Sequence, residues 1–246
     1  MSWSEQYEKR TAWKYEPIHG CFHTHEGLIN KVDCAGKMLF FPGTTVICRP
    51  REGMPDLLSM QARMHELLDE TGMLGERLPA DSMHMTLHDL VSLEYAEEEY
   101  DRQMSESLRK AFEITAAVKE LYACRAIVME ADRIVNMVCK SLVLLLKGKT
   151  EEDWELLMDL YQRYDHIISF PHAFTPHITL AYFRPGMLDG GRLQQAVNRL
   201  QIRSENRMIF TFPVEDIAVQ SFMSMKEYRD FDPLSKSGVK YAKSTI

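Results

Sequence analysis

The sequence predicts an α+β protein built from two related lobes. Its 246 residues are 45% hydrophobic and 26% charged, which suits one large globular domain or two closely packed lobes. Segments typical of strands alternate with segments typical of helices. The order strand, helix, His-x-Thr-Leu strand occurs in the first half of the chain and again in the second half. This repetition indicates an internal duplication.

Hydrophobic periodicity and turn residues set the limits of the predicted elements. In chain order we expect a strand at 44–48, a helix at 55–71, a strand at 83–91, a helix at 97–122, two strands within 126–147, a helix at 151–164, a strand at 177–183, a short helix within 188–200 and two strands within 208–228.

Charge and cysteine content exclude several classes of protein. The net charge of −7 disfavours non-specific nucleic-acid binding, which needs many Lys and Arg side chains on phosphates; a local basic cleft stays open. The five cysteines form no C-x-x-C motif, the N-terminus lacks an apolar signal region, and the apolar run 142–146 is too short to span a bilayer. We therefore expect a cytoplasmic protein with reduced thiols, no membrane partner and a monomeric state.

Two short strands carry side chains suited to acid–base chemistry. In a strand, residues i and i+2 share a face, so His84 lies beside Thr86 and His177 lies beside Thr179. One neutral imidazole can accept a proton from a nucleophile while a protonated one donates to a leaving alkoxide. The hydroxyls can donate hydrogen bonds to a phosphoryl group. This arrangement requires no metal.

Two parts of the sequence could instead indicate a metal site. His84 and His88 form H-x-x-x-H, which on a helix could bind zinc, but on a strand they stand roughly 13 Å apart at about 3.3 Å per residue. The segment "HGCFHTH" at 19–25 holds four potential ligands without a recognised spacing, and a surface loop is the simpler interpretation. A third alternative is that each motif histidine is a satisfied polar group of a sheet.

The motifs "HMTL" (84–87) and "HITL" (177–180) resemble the hallmark of the two-histidine (2H) phosphoesterase superfamily. "FPGTTVIC" (41–48) is similar to an uncharacterised bacterial branch of it. The resemblance spans about residues 38–225. It implies a bilobal α+β fold, with two pseudo-symmetric lobes, antiparallel sheets that line a central cleft, and helices outside. The corresponding domain would be 38–228, with an N-terminal extension (1–37) and a polar C-terminal tail (229–246).

The resemblance also implies a reaction and roles for the motif residues. The expected activity is cofactor-free hydrolysis of 2′,3′-cyclic phosphate or 2′-5′ phosphodiester bonds of RNA ends or small nucleotides. His84 and His177 would form the acid–base pair, and Thr86 and Thr179 would contact phosphate. Hydrolysis of cyclic oligonucleotide signals, RNA-end ligation and a non-catalytic nucleotide or RNA-end binding module remain alternatives.

Other side chains are candidates for substrate contacts. By strand parity His88 could reach the edge of the cleft, with a structural role as the alternative. Phe183 could stack on a base, with core packing as the alternative. Thr45 lies on a strand that could flank the cleft. Cations that could bind phosphate are Arg125, Arg133 and Lys140.

Overall fold

A computed structural model describes residues 2–12, 15–16, 18, 20–93, 100–200 and 207–233. The helices are α1 (Trp3–Thr11), α2 (Met54–Leu68), α3 (Tyr100–Leu121), α4 (Glu151–Asp165) and α5 (Gly190–Arg199). The strands are β1 (Tyr15–Glu16), β2 (Cys21–His23), β3 (Gly43–Cys48), β4 (Met85–Ser92), β5 (Ala126–Met137), β6 (Ser141–Gly148), β7 (His177–Tyr182), β8 (Met187–Asp189), β9 (Ile209–Pro213), β10 (Ala218–Ser224) and β11 (Glu227–Asp230). The predicted α+β class is confirmed. The predicted helix residues 97–99 and the tail from 234 onward lie outside the described residues.

An antiparallel sheet of nine strands forms the framework. Its order is β1-β5-β6-β7-β4-β3-β10-β11, and β9 also pairs with β5. The pairs β5–β6 and β6–β7 form one half, and the pairs β4–β3 and β3–β10 form the other. The halves meet at β4 and β7, the strands that carry the His-x-Thr-Leu motifs, where Met85 pairs with Ile178.

Helices pack their apolar sides against this sheet. A capping box at Thr150 and Asp153 starts α4, which satisfies N–H groups that the first helical turn leaves unpaired. Gly53, with φ of 83°, precedes α2. A Cβ at that position would lie 2.6 Å from the carbonyl oxygen of Ile209, so the close approach of α2 to β9 requires glycine.

The N-terminal segment packs on the same body. Its turn-rich sequence suggested little periodic structure, but α1 starts at a capping box formed by Ser2 and Glu5, a signal that S-x-x-E carries in the sequence. Tyr7 is fully buried, contacts the Trp154 ring edge-on at 5.9 Å between centroids, and donates a 2.9 Å hydrogen bond to Asp132. The segment therefore braces α4 and β5.

Within the described ranges, none of the helices combines the length and apolarity that crossing a membrane requires.

The packing of α1 against the body predicts that a substitution in α1, remote from the cavity, lowers the stability of the protein. Replacement of Tyr7 by Ala removes a fully buried aromatic side chain and should lower the free energy of unfolding by about 3–5 kcal/mol, the usual range for such a truncation. Urea denaturation measures the change. Leu121→Ala, at a side chain that is 58% exposed, is the matched control and should have little effect. Equal stability of Tyr7→Ala and wild type would show that α1 does not brace the body.

Candidate functional site

The two His-x-Thr motifs meet at the junction between the halves of the sheet. Met85 pairs with Ile178 in an antiparallel register, and each of these residues is the middle one of its motif. The register therefore sets His84 across from Thr179 and His177 across from Thr86. Diagonal neighbours of this kind stand roughly 7–8 Å apart, which leaves room for a phosphoryl group between the two imidazoles.

Both histidines use the same backbone contact to fix their rings. The Nδ1 atom of His84 lies 2.8 Å from the carbonyl oxygen of Ser82, and that of His177 lies 2.7 Å from the carbonyl oxygen of Thr175. A carbonyl oxygen only accepts, so Nδ1 carries the hydrogen in each ring. Nε2 is then the atom whose protonation changes, as an acid–base group requires.

A β-bulge follows each motif at its leucine. The pairing of β4 with β3 shifts by one residue between Thr86 and His88, and the pairing of β7 with β6 shifts between Thr179 and Ala181. A bulge inserts one residue and reverses the alternation of faces beyond it. Asp89 and Tyr182 consequently share the face of the motif threonines.

The motif side chains line one cavity of about 220 Å³. His84, Thr86, His177 and Thr179 are partly exposed there. Among the described residues, neither threonine hydroxyl has a hydrogen-bond partner. Other polar and aromatic groups on the wall include Lys31, Thr45, Asp89, Lys140, Ser141, Tyr161, Phe170, His172, Tyr182 and Tyr228. Lys31 and Lys140 therefore place basic side chains on the cavity wall of a protein whose net charge is negative.

Burial makes His84 a weak base. Its pKa falls from an ordinary 6.5 to about 4, mainly because burial disfavours the charged imidazole. The positive charges of His177 and Arg49 lower it further, while the Ser82 carbonyl and the Asp89 carboxylate oppose the shift. Tyr228 contributes to this burial, since its ring meets the His84 ring edge-on at 4.7 Å between centroids. His84 is therefore neutral at pH 7, with a free electron pair on Nε2.

The structure places His88 at the cavity and Phe183 away from it. His88 is 1% exposed, stacks on Tyr161 at 5.0 Å and sets its Nε2 3.6 Å from Asp165. It packs between β4 and α4, and its ring also borders the cavity. Phe183 is fully buried against Phe22 and does not line the cavity. Regular alternation failed for Phe183 because the extra residue in β7 reverses the faces of the residues beyond it.

The remaining predicted residues take different positions. Thr45 lines the cavity, but its hydroxyl donates to the His88 carbonyl at 3.2 Å. Arg133 is engaged with Glu8 and Asp132. Arg125 lies over the Tyr122 ring, away from the cavity wall. Of the three cations considered, Lys140 lines the cavity.

In the described part of the chain, the residues of the two suggested metal sites do not come together as a set of ligands. His84 contacts Tyr228 on β11, whereas His88 packs against α4. In the 19–25 segment, His25 accepts a hydrogen bond from the Gly27 N–H, and His19 lies outside the described residues. Within the described ranges, no group of three or more His, Cys, Asp or Glu side chains could hold a metal ion.

Asp89, Tyr182 and Tyr228 are among the cavity residues that sequence reasoning missed. The orientation of Asp89 and Tyr182 depends on bulges, which no local sequence pattern predicts. Tyr228 comes from the β10–β11 hairpin, and its position over His84 is a long-range contact. The signal available in the sequence was the regular alternation of side chains between the two faces of a strand. The structure follows this alternation in each motif as far as the leucine, where the bulge begins.

Part of this sequence matches a known protein family. Residues 31–120 match the family described as "2H-phosphodiest: Domain of unknown function (DUF1868)". No curated protein sequence matches the chain.

One solved structure shares the fold, and two others have lower structural similarity. A conserved protein of unknown function, ATU0111 from Agrobacterium tumefaciens, is 16% identical, with a TM-score of 0.60 over 92% of this chain and 97% of that chain. E. coli LigT complexed with 3′-AMP is 10% identical, with a TM-score of 0.42 over 78% of this chain and 96% of that one. Kluyveromyces marxianus Usb1 is 11% identical, with a TM-score of 0.37 over 78% and 98%.

The burial of His84 predicts an unusual titration. Its imidazole should titrate near pH 4 in histidine-edited NMR, with the resonance assigned by its loss in His84→Gln. Tyr228→Ala opens the ring to water and should raise this pKa toward 6.5, because desolvation is the largest cause of the shift. Tyr122→Ala, remote from the cavity, is the control. Titration of wild-type His84 at its ordinary pKa would contradict the account.

Proposed function

We propose that this chain is a member of the two-histidine (2H) phosphoesterase superfamily, whose family model matches residues 31–120, and that it is a metal-independent phosphodiesterase. Its proposed substrates contain a 2′,3′-cyclic phosphate or a 2′-5′ phosphodiester bond, at an RNA end or in a small nucleotide. The observation that carries the proposal is the paired site around one cavity. It contains two imidazoles with equivalent Nδ1 contacts and two threonine hydroxyls that have no hydrogen-bond partner among the described residues.

The two histidines suit opposite roles in the reaction. We assign His84 as the general base, because burial keeps it neutral and leaves an electron pair on Nε2. His177 is then the general acid. A positive charge on His177 disfavours protonation of His84, and the proposed mechanism assigns the proton of the pair to His177. This state holds one base and one acid together, as displacement at phosphorus requires.

Hydrolysis then follows from the positions of these groups. Nε2 of His84 takes a proton from water as the water oxygen bonds to phosphorus. The bond from phosphorus to the ribose oxygen breaks, and Nε2–H of His177 gives its proton to that oxygen. A cyclic phosphate thereby becomes a phosphomonoester with one free hydroxyl. The Thr86 and Thr179 hydroxyls donate hydrogen bonds to the non-bridging oxygens as their charge rises.

Substitution of either histidine should remove most of the turnover. His84→Gln and His177→Gln should each reduce kcat on 2′,3′-cyclic nucleotides by about 10²–10⁴, the usual contribution of one general acid or base. The double variant should lose less than the product of the two losses, because the residues act as a unit. His166→Gln, at an exposed histidine, is the control. Wild-type rates in both single variants would refute the assignment.

The pH dependence follows from the lowered pKa of His84. The base works only when neutral, so the acid limb of kcat/KM should lie near pH 4 and not near 6.5. Above the pKa of the acid the leaving oxygen receives no proton, and the profile should fall again to form a bell. Rates measured from pH 3.5 to 10 with a chelator present and absent test both points. Loss of activity in chelator that a divalent ion restores would overturn the metal-free mechanism.

A further inference from the structure

The two halves of the cavity differ at the residue that follows each bulge. The half that carries His177 presents Tyr182, whose hydroxyl donates to the Met225 sulfur at 3.1 Å. The half that carries His84 presents Asp89 at the equivalent position. This carboxylate is one difference between the two halves of the duplicated site.

The Asp89 carboxylate has no partner in the described part of the chain. Its side chain is exposed on the cavity wall, and no hydrogen bond or ion pair of a described residue reaches its oxygens. An ionised carboxylate can only accept hydrogen bonds. It repels a phosphate anion, so it cannot serve the phosphoryl end of the substrate. The part of the substrate that faces it must offer donors.

The chemistry of the substrate limits which donors are present. In a nucleoside 2′,3′-cyclic phosphate both ribose hydroxyls are esterified, so the donors left are the 5′-hydroxyl and the base N–H groups. Guanine alone among the common bases presents two adjacent donors, N1–H and the 2-amino group, which match the two oxygens of one carboxylate. Adenine and cytosine set one amino donor beside an acceptor, and uracil has one N–H between two carbonyls.

The surroundings of Asp89 fit a planar base. The rings of Tyr161, Phe170 and Phe174 border the same cavity as Asp89 and His84. Tyr161 stacks on His88 and on Phe174, and Phe170 stacks on His172. Aromatic walls commonly hold unstacked bases whose edges are read by hydrogen bonds.

We propose that Asp89 reads the nucleobase and selects guanine through a bidentate hydrogen bond to N1–H and the 2-amino group. This inference rests on the proposed function, since it takes the phosphate to lie between His84 and His177. It makes the substrate class a guanosine 2′,3′-cyclic phosphate, free or at the end of an RNA. It also orients the substrate in a near-symmetric site, with the base toward the half that carries His84.

The test compares wild type, Asp89→Asn and the control Asp81→Asn on the 2′,3′-cyclic phosphates of guanosine, inosine, adenosine, cytidine and uridine. Asp81 is exposed and outside the cavity. Wild type should prefer guanosine, with inosine intermediate because it lacks the 2-amino group. Asp89→Asn should lose on the order of 10- to 100-fold in kcat/KM for guanosine, mainly through KM, as expected for a lost hydrogen bond to a charged group.

Other outcomes overturn the proposal. An equal loss for all five nucleotides would assign Asp89 to the 5′-hydroxyl or to a general structural role. A shifted acid limb of kcat/KM without a change in base preference would make it a residue that only tunes His84. Absence of base preference in wild type would also reject it.

A binding experiment separates this inference from the proposed reaction. If no cyclic phosphate is turned over, the hydrolytic function fails, and calorimetry with guanosine 3′-monophosphate and adenosine 3′-monophosphate still tests base recognition. Tighter binding of the guanosine nucleotide that Asp89→Asn abolishes and Asp81→Asn preserves supports the role of Asp89. Equal binding of both nucleotides to wild type rejects it.

Discussion

The backbone pairing of Met85 with Ile178 is the constraint on which the site depends. Both residues are fully buried, and each separates the histidine from the threonine of its motif. One antiparallel pair therefore fixes the faces of four side chains at once. Its register also produces the near two-fold arrangement in which each imidazole stands across from the hydroxyl of the other motif. The rest of the sheet holds this pair at the centre of the molecule.

The sequence predicted the part of the site that regular strand geometry determines. Alternation placed His84 with Thr86 and His177 with Thr179, and the structure brings all four to one cavity. The same reasoning failed for Phe183, which is buried in the core, whereas His88 borders the cavity and also packs against α4. A one-residue bulge depends on how a strand pairs with its neighbour, and such pairing is not encoded in a pattern of one strand.

The helices and strands of the fold, like the site, were predictable where local sequence patterns determine them. Helices and strands with strong periodicity lie where the sequence placed them, since burial of an apolar face determines both. The N-terminal helix α1 was missed because its core contact is long-range: Tyr7 packs on Trp154, far along the chain. The capping box at Ser2 was a local signal for it. Tyr228 over His84 is another contact between distant segments.

Unequal environments give different chemistry to two similar motifs. Burial beneath Tyr228 lowers the pKa of His84, and a positive charge on His177 lowers it further. The bulge on β4 adds the Asp89 carboxylate to one half of the cavity only. In the proposed mechanism, the duplicated strands provide symmetric positions for a phosphoryl group, while Tyr228 and Asp89 make the two halves of the cavity different.

The assignment of base and acid to the two histidines can be tested by measuring rates on substrates with different leaving groups. A nucleoside p-nitrophenyl phosphodiester releases a phenolate that needs no proton, so it requires the base but not the acid. The account predicts that, on this substrate, His177→Gln regains most of the rate that it loses on a 2′,3′-cyclic nucleotide, whereas His84→Gln stays impaired. Equal impairment of both variants on both substrates would contradict the assignment of His84 as base and His177 as acid.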